Sequence, residues 1–221
     1  MKTTVKENLF IEDTLCIINR SKKRGYLAHR IDGVNNRIFL YARKGVSDNK
    51  IKNYLQEIRQ KAKNQGDLLI IKEGEIFRFL GKNYVIRLLS GDKYNLILLE
   101  NNALFTVPAN FVDATARAYL IKFYKKTLDG YIKKRLPIFE EETGLKFLSY
   151  RIINNRSFWG ECDYINKKLT LSLKIVRENE EFIDYVLIHE TCHLSIQNHS
   201  KDFYELVSKF CPNYKLIKKG K

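Results

Sequence analysis

Three of the four histidines in this 221-residue chain lie within eleven consecutive residues, 189–199. His189 and His193 are four residues apart, so on a helix they project from the same face, one turn from each other. The segment around them is apolar over most of a helical circumference, which indicates burial; its apolar residues include Phe182, Ile183, Val186 and Leu187. Because a buried imidazole is costly unless its nitrogens are satisfied, the chain must fold so that this helix presents two histidines to one polar site.

The pattern His189-Glu190-Thr191-Cys192-His193 is typical of helices that bind a zinc ion. Two imidazoles at this spacing can reach one tetrahedral Zn²⁺ at Zn–N distances of about 2.0–2.1 Å, and a third protein ligand leaves one position for water. Glu190 projects about 100° around the helix from His189. That position favours a general base beside the water rather than a metal ligand.

His199 is the expected third ligand, because it follows His193 by six residues across a polar break where the chain can reverse. We therefore predict one Zn²⁺ per chain on His189, His193 and His199, with Mn²⁺ or another divalent metal as an alternative. Two other interpretations stay open: a cysteine ligand in place of His199, and a hydrogen-bonded core pair with an incidental third histidine. His29 is expected to be an ordinary half-exposed histidine.

The first 110 residues are predicted to be β-rich with one helix. Short apolar or aromatic runs, separated by basic residues, Gly and Asn, predict strands at residues 15–19, 25–31, 37–42, 68–71, 75–80, 84–89, 94–99 and 104–107. Ser47 is expected to cap a helix whose apolar residues recur at helical spacing through about Asn64.

From about residue 110 the apolar pattern becomes helical. A stripe from Val112 to Leu136 predicts a long helix that ends or kinks near Pro137 and stops by Gly144. Strands are expected at residues 147–154, 161–165 and 168–173, followed by helices at about 180–197 and 200–210. The predicted fold class is α+β, with a β-rich N-terminal domain at 1–110 and a domain at 111–221 that combines helices with a short antiparallel sheet.

The charge balance is strongly basic, with 40 Lys+Arg against 25 Asp+Glu and a formal net charge of +15. Such a charge attracts polyanions such as nucleic acid or nucleotides, and codon usage in an AT-rich genome would produce it equally well. The basic stretches are residues 20–24, 122–135 and 215–221. Nonspecific nucleic-acid contact through these basic faces is therefore an expectation that charge alone does not decide.

Three features indicate a cytoplasmic protein without a membrane partner. No apolar stretch approaches the ~20 residues that span a bilayer. The first fourteen residues carry acids where a signal peptide would be apolar. The four cysteines contain no CxxC pair and fit reduced thiols; they are Cys16, Cys162, Cys192 and Cys211.

Several motifs together resemble the YgjP-like metallopeptidase family, which is related to SprT-like zincins. They are His189-Glu190-x-x-His193-x5-His199 followed by Ser200-Lys201-x-Phe203, Trp159-Gly160-x-Cys162, residues 169–173 and Asp184-Tyr185-Val186. The similarity is close after residue 145 and loose before residue 110. The resemblance implies a zincin-like, zinc-dependent hydrolase domain at residues 111–221 in which all three histidines bind the metal.

The resemblance also implies that an extended substrate pairs with the strand at residues 169–173. Two positions depart from the family pattern: Glu161 stands where relatives usually have Ser, and Ser172 stands where Asn is common. Neither residue belongs to the metal set, so metal binding transfers from the family more safely than substrate identity does.

We therefore expect a zinc-dependent metallopeptidase that acts on peptide or protein substrates, with Glu190 as the general base. The chemistry also needs a group that stabilises the oxyanion, for which Tyr185, Tyr204, Arg156 and Asn155 are candidates. Two alternatives stay open. One is a metal-dependent nucleoside-triphosphate (UTP) pyrophosphatase on the same site, a label that members of this family have also carried; the other is a nucleic-acid-associated metalloprotein that acts on DNA-bound protein.

Overall fold

The structure is a computed structural model that describes residues 5–21, 27–64, 68–155 and 157–220. Over these residues the protein is mixed α+β, as predicted, with three small sheets and five α-helices. The chain forms two compact units, the first made of Met1–Arg78 and Asn83–Tyr119, the second of Phe79–Lys82 and Leu120–Lys221. The domain boundary expected at residue 110 stays a prediction. None of the described helices is long and apolar enough to cross a membrane.

The first unit begins with a four-stranded sheet of β1 (Val5–Ile11), β2 (Thr14–Ser21), β3 (Ala28–Asp32) and β4 (Arg37–Arg43). The strand order is β1-β2-β4-β3, in which β2 and β4 are parallel and the other pairs are antiparallel. Helix α1 (Asp48–Asn64) follows, and the Ser47 hydroxyl caps it by accepting a bond from the Lys50 N–H at 3.4 Å, as predicted. The apolar face of α1 packs in the same core cluster as the sheet; it comprises Ile51, Leu55, Ile58 and Ala62.

The second sheet contains β5 (Ile76–Phe79), β6 (Lys82–Ser90), β7 (Asn95–Leu99) and β8 (Asn102–Val107). Its order is β5-β6-β8-β7, with β6 parallel to β8 and β7 antiparallel to β8. The turn Phe79–Lys82 between β5 and β6 belongs to the second unit. In that unit the Leu80 N–H donates to the Val176 carbonyl at 2.8 Å, close to the start of the helix that carries the histidines.

The second unit contains most of α2 (Asp113–Thr143), then β9 (Ser149–Ile153), β10 (Gly160–Asp163), β11 (Lys168–Ser172), α3 (Glu180–Cys192), α4 (Lys201–Phe210) and α5 (Tyr214–Lys219). In this unit α2 buries Leu120, Leu128 and Leu136 of the predicted stripe, together with Tyr124 and Ile132, which the stripe did not include; Val112, where the stripe was expected to start, is exposed. Side-chain caps define the starts of the next two helices, since Asn179 accepts from the Phe182 N–H and Ser200 from the Phe203 N–H.

The sheet of the second unit is mixed, and the expectation of an antiparallel sheet is wrong. Strand β11 is central: it is antiparallel to β10 and parallel to β9. Parallel strands need a crossover connection, and here the chain between β9 and β11 contains β10 itself. Both edges of β11 are therefore paired, so the expectation that substrate pairs along residues 169–173 is also wrong.

Three strand and helix assignments in the sequence differ from the structure for local reasons. Strand β1 was not predicted because the charged Glu7 interrupts its apolar pattern: Glu7 lies on the same, less exposed face of the strand as Leu9 and Ile11. Residues 68–71 are buried without forming a strand, since an apolar run indicates burial and not pairing. Helix α5 was not expected because Tyr214 is its only buried residue, so it has no apolar stripe.

Two helix ends also differ. Helix α3 ends at Cys192 instead of continuing to residue 197, because the chain after His193 turns back toward the histidine ring. Helix α2 runs through Pro137 to Thr143. Pro137 lies on the exposed face of α2, where water can bond the carbonyl group that lacks its helical partner. Residues 22–26, Arg156 and Lys221, on which parts of the predicted strand and basic stretches fall, lie outside the described residues.

Asp184 joins α3 to α2 through three side-chain contacts. Its carboxylate accepts a bond from the Tyr131 hydroxyl at 2.9 Å and bonds from Nε and Nη2 of Arg135 at 3.1 and 2.6 Å. The Asp184 side chain is only 22% exposed, so solvent replaces these partners poorly.

We expect Asp184→Ala to lower the free energy of unfolding by about 2 kcal/mol, because it leaves Arg135 and Tyr131 without their shared acceptor. Denaturant unfolding measures the change. Glu181→Ala is the control, since Glu181 is an exposed acid one helical turn away, and its change should stay below about 0.5 kcal/mol. Equal losses in the two variants would contradict the assignment of this contact.

Candidate metal centre

The structure brings the three predicted histidines together. His189 lies in the last turn of α3, His193 caps that helix, and His199 lies just before α4. The Nε2 atom of His199 is 3.0 Å from Nε2 of His189 and 3.2 Å from Nε2 of His193. Nitrogens bound at about 2.0–2.1 Å to one tetrahedral zinc ion lie about 3.3 Å from one another. The spacing therefore fits three ligands of one metal ion, and the role of the histidines as ligands stays a prediction.

The segment between His193 and His199 is shaped by local hydrogen bonds. The Leu194 and Ser195 N–H groups bond to the carbonyls of Thr191 and Cys192, so the chain tightens into a turn after α3. The Asn198 side chain then accepts from the Ser200 N–H at 3.3 Å. These bonds return the chain to the end of α3 and place the His199 ring beside the two other imidazoles.

A carbonyl group sets the protonation of His193. Its Nδ1 lies 2.9 Å from the Ile196 carbonyl oxygen. Because that oxygen can only accept, Nδ1 carries the proton, and the lone pair is on Nε2, the atom that points to the other two rings. This is the tautomer that a metal ligand of the Nε2 type requires.

The Phe203 ring contacts all three histidine rings of the cluster. Its ring is stacked on His193, with the centroids 4.3 Å apart, and lies edge-to-face with His189 at 4.9 Å and with His199 at 5.1 Å. Phe203 is fully buried. The sequence places it in the motif after His199, but only the structure shows that one ring contacts all three imidazoles and restricts their rotation.

The electrostatics favour neutral imidazoles at His189 and His193. Burial lowers the pKa of His189 to about 3, and the charges of His193, His199 and Lys218 add to this shift. Burial also lowers the pKa of His193, against the opposing effect of its bond to Ile196. Neutral imidazoles at His189 and His193 suit a cation, because metal binding requires deprotonated ligands. Within the described residues, this is the one group of three or more His, Cys, Asp or Glu side chains whose ligand atoms converge in this way.

Glu190 lies next to the cluster with its carboxylate buried. The side chain is held from strand β10, where the Cys162 N–H bonds to it. Burial raises the pKa of Glu190 to about 8; the Glu161 carboxylate adds to the rise, and the Cys162 N–H opposes it. Glu161, the acid that departs from the family pattern, is therefore an exposed residue that acts electrostatically on the predicted general base.

Gly160 permits the close approach of β10 to α3. A Cβ atom at this position would lie 2.7 Å from Cγ of Glu190, 2.9 Å from its Oε1 and 2.9 Å from Cγ1 of Val186. All three distances are shorter than real Cβ contacts, so only glycine fits here without movement. The Glu190 carboxylate is thus fixed by the helix below it and by the strand beside it.

A cavity of about 590 Å³ opens beside His189, Glu190 and His199. Its wall is mainly aromatic and apolar, and includes Phe158, Trp159, Phe182, Tyr185 and Val186. Tyr204 and Lys218 complete the lining on the side of the C-terminal helices. Lys218 is a site residue that the sequence did not reveal, because α5, which carries it, was not expected.

The four candidates for the oxyanion-stabilising group differ in their surroundings. The Tyr185 hydroxyl lies 3.5 Å from Nδ1 of His189, on the side of the ring away from the cluster. Tyr204 lines the cavity, and its ring is stacked on His199. Asn155 uses its side-chain oxygen to accept from the Ser157 and Phe158 N–H groups. Arg156 lies outside the described residues.

His29, the histidine outside the cluster, lies in the first unit, where its Nδ1 is 3.2 Å from the Tyr54 hydroxyl.

The cluster predicts a single tight zinc site. We expect about one zinc ion per chain, and we expect His193→Ala and His199→Ala each to weaken zinc binding by more than about 100-fold, because both remove a ligand. Equilibrium dialysis with elemental analysis measures this loss. His29→Ala is the matched control and should bind zinc as the unaltered chain does. Tight stoichiometric binding by the His193 variant would contradict the site.

The contact at Gly160 predicts opposite effects of two glycine substitutions. Gly160→Ala should lower the free energy of unfolding by about 1–3 kcal/mol, because the new methyl group overlaps Glu190 and Val186. Gly130→Ala should raise it by about 0.5–1 kcal/mol, since Gly130 is an exposed helical position with open space around it. Denaturant unfolding of both variants measures the difference. A stable Gly160 variant would show that β10 and α3 are not closely packed.

The chain is similar to known proteins in sequence and in structure. Residues 29–220 match the YgjP-like metallopeptidase domain family. No curated protein sequence matches the chain. Among solved structures, the crystal structure of the metallopeptidase zymogen of Pyrococcus abyssi abylysin is similar over 40% of this chain and 89% of its own, with 25% sequence identity and a TM-score of 0.37. The family match covers most of the chain and confirms the resemblance found in its motifs: the chain belongs to the YgjP-like metallopeptidase family.

Proposed function

We propose that the chain is a zinc-dependent metallopeptidase in which His189, His193 and His199 hold the metal and Glu190 is the general base. The observation that carries this proposal is the convergence of three Nε2 atoms within 4.8 Å of one another beside the cavity that Glu190 also lines. Family membership supports a hydrolase, and it implies a metal ion and a protein substrate.

In this proposal, residues of the chain hold the metal, keep the Glu190 carboxylate in position and transfer a proton. A zinc ion, when bound, would polarise the substrate carbonyl and lower the pKa of water near it. Glu190 takes a proton from the attacking water and delivers it to the leaving amine, which conserves the proton over the reaction. The Cys162 N–H and the packing at Gly160 hold the Glu190 carboxylate in place for both transfers.

The free edge of β10 is the place where an extended substrate can pair. The Ser172 N–H donates to the Trp159 carbonyl at 2.9 Å, which makes these two residues a hydrogen-bonded pair across β10 and β11. The backbone groups of the alternate residues Gly160 and Cys162 therefore point away from β11. Cys162 uses its N–H on Glu190, and Gly160 lines the cavity. We therefore assign backbone pairing with the substrate to Gly160 of β10. This assignment replaces the earlier expectation that the substrate pairs with β11.

The lining of the cavity favours a peptide over a nucleoside triphosphate. A triphosphate needs several cations or a metal held by carboxylates, whereas the charged residues lining this cavity are Glu190 and Lys218, apart from the histidines. The aromatic wall suits apolar side chains. The nucleoside-triphosphate pyrophosphatase is therefore the weaker alternative.

Nucleic-acid contact and cytoplasmic location stay predictions. The lysines of the basic α2 stretch are exposed, namely Lys122, Lys125, Lys126, Lys133 and Lys134, and Lys133 pairs with Asp129. Exposed lysines of this kind fit a solvated helix face as well as a polyanion contact. The four cysteines are unpaired, as expected for reduced thiols.

Replacing the general base should separate binding from catalysis. We expect Glu190→Gln to keep zinc and to lose hydrolysis by a factor of about 100 to 10,000, because the amide cannot accept the proton. A panel of peptides and nucleoside triphosphates, assayed with both proteins and matched for zinc content, measures the loss. Glu141→Gln, which removes an exposed acid of α2 that does not line the cavity, is the control and should keep most of the activity. Full activity of the Glu190 variant would overturn the assigned role, and turnover of triphosphates alone would favour the alternative.

A further inference from the structure

Lys218 brings a positive charge to the cavity beside the histidine cluster. It lies on α5, lines the cavity, and donates from Nζ to the Tyr204 hydroxyl at 3.1 Å. Tyr204, the residue that Lys218 contacts, has its ring stacked on His199, so the cation lies one residue away from the histidine cluster. Across the described part of the chain, no carboxylate forms an ion pair with Lys218. The cation therefore has a neutral hydroxyl as its partner and room for an anion.

Tyr204 holds Lys218 at the rim. The Tyr204 ring is stacked on His199 on one side, with centroids 5.9 Å apart, and on Tyr214 on the other, at 5.5 Å. Nζ of Lys218 also lies 5.0 Å from the centroid of the Tyr204 ring. The stack fixes the hydroxyl that Lys218 contacts, so this exposed cation is held next to Tyr204 where both residues line the cavity.

The opposite wall of the cavity is apolar and large enough for a bulky side chain. Trp159 and Phe182 meet edge-to-face with ring centroids 5.1 Å apart, and Phe158 and Val186 line the same wall. Burying an aromatic or branched side chain in such a place contributes about 1.5–3 kcal/mol in area terms, which corresponds to at least tenfold in binding. The cavity thus combines an apolar wall with the cation of Lys218, beside His189 and His199.

We propose that this cavity binds a peptide segment that combines a large apolar side chain with a carboxylate, and that Lys218 binds the carboxylate. The proposal rests on the proposed metallopeptidase function, because it assigns the class of peptide that the same site takes. The apolar wall and the buried acid Glu190 offer an anion no favourable partner, so the carboxylate belongs at the part of the cavity formed by Tyr204 and Lys218. Two sources supply this chemistry: the C-terminal carboxylate of a peptide, or an acidic side chain next to the apolar one.

Trp159 allows binding to be measured without hydrolysis, because it is the sole tryptophan of the chain and lines the cavity. Its fluorescence is followed while zinc-loaded full-length protein is titrated with two pairs of probes. The first pair is N-acetyl-phenylalanine and its amide, which differ in the terminal carboxylate. The second pair is N-acetyl-phenylalanyl-glutamate amide and the corresponding glutamine amide, which differ in the side-chain carboxylate.

We expect the acid of at least one pair to bind about tenfold more tightly than its neutral partner, because the contact is a charge-assisted hydrogen bond. This preference should fall below about twofold in Lys218→Met and persist in Lys219→Met, which removes the neighbouring exposed lysine. The pair that discriminates identifies the source of the carboxylate. N-acetyl-glycine should bind at least about tenfold more weakly than N-acetyl-phenylalanine, because it leaves the apolar wall empty.

Three results would overturn the proposal: no preference for either acid in the unaltered chain, a preference that survives in Lys218→Met, or equal binding of the glycine and phenylalanine probes. A surviving preference would mean that the acid binds another cation, either the metal or Lys174, whose Nζ lies 4.1 Å from the centroid of the Trp159 ring. The readout also separates this proposal from the proposed function. If the acid preference depends on Lys218 but no peptide is hydrolysed, the peptidase function is contradicted and the proposed binding site stands. If peptides are hydrolysed but no preference depends on Lys218, the proposed binding site is contradicted and the peptidase function stands.

Discussion

The close packing of strand β10 against helix α3 is the contact on which the candidate site depends. At Gly160 the strand backbone comes so near the helix that a single methyl group would overlap Glu190 and Val186. The same strand bonds the Glu190 carboxylate through the Cys162 N–H, and the preceding Trp159 lies against Phe182 in the first turn of α3. One wall of the cavity, the position of the predicted base and the free backbone edge all follow from this one approach.

The histidine cluster could be predicted from the sequence because its chemistry is local. His189 and His193 are one helical turn apart, and His199 is six residues further on, so a helix and one turn suffice to bring them together. The helix cap at Ser200 could also be predicted from the sequence. Lys218 could not be predicted in the same way, because its place at the cavity depends on how the short helix α5 packs against α4, and no periodicity reports such a contact.

Strand pairing was the other feature that local patterns did not predict. In each of the three sheets a strand is followed by a hairpin, and the second strand of the hairpin lies parallel to the first strand: β2 with β4, β6 with β8, and β9 with β11. The hairpin turns contain residues with positive φ, namely Asn36, Glu100 and Lys167. Turns leave a signal in the sequence, but the parallel partner is chosen by packing between distant segments. The sequence therefore predicts most of the strands and misplaces β11 at an edge.

The net charge of +15 and the charge of the site are separate properties. The lysines of α2 lie on exposed positions, where salt screens their field over a Debye length of about 8 Å. Lys218 is also exposed, but it lines the cavity next to Tyr204, so an anion in the proposed site would meet one cation and an aromatic wall together. A polyanion held by the exposed lysines would be bound by total charge, while a ligand in this cavity is selected by the position of one cation relative to an apolar wall. Substitutions of the α2 lysines should therefore alter the first kind of binding and leave the proposed binding in the cavity intact, since none of these lysines lines it.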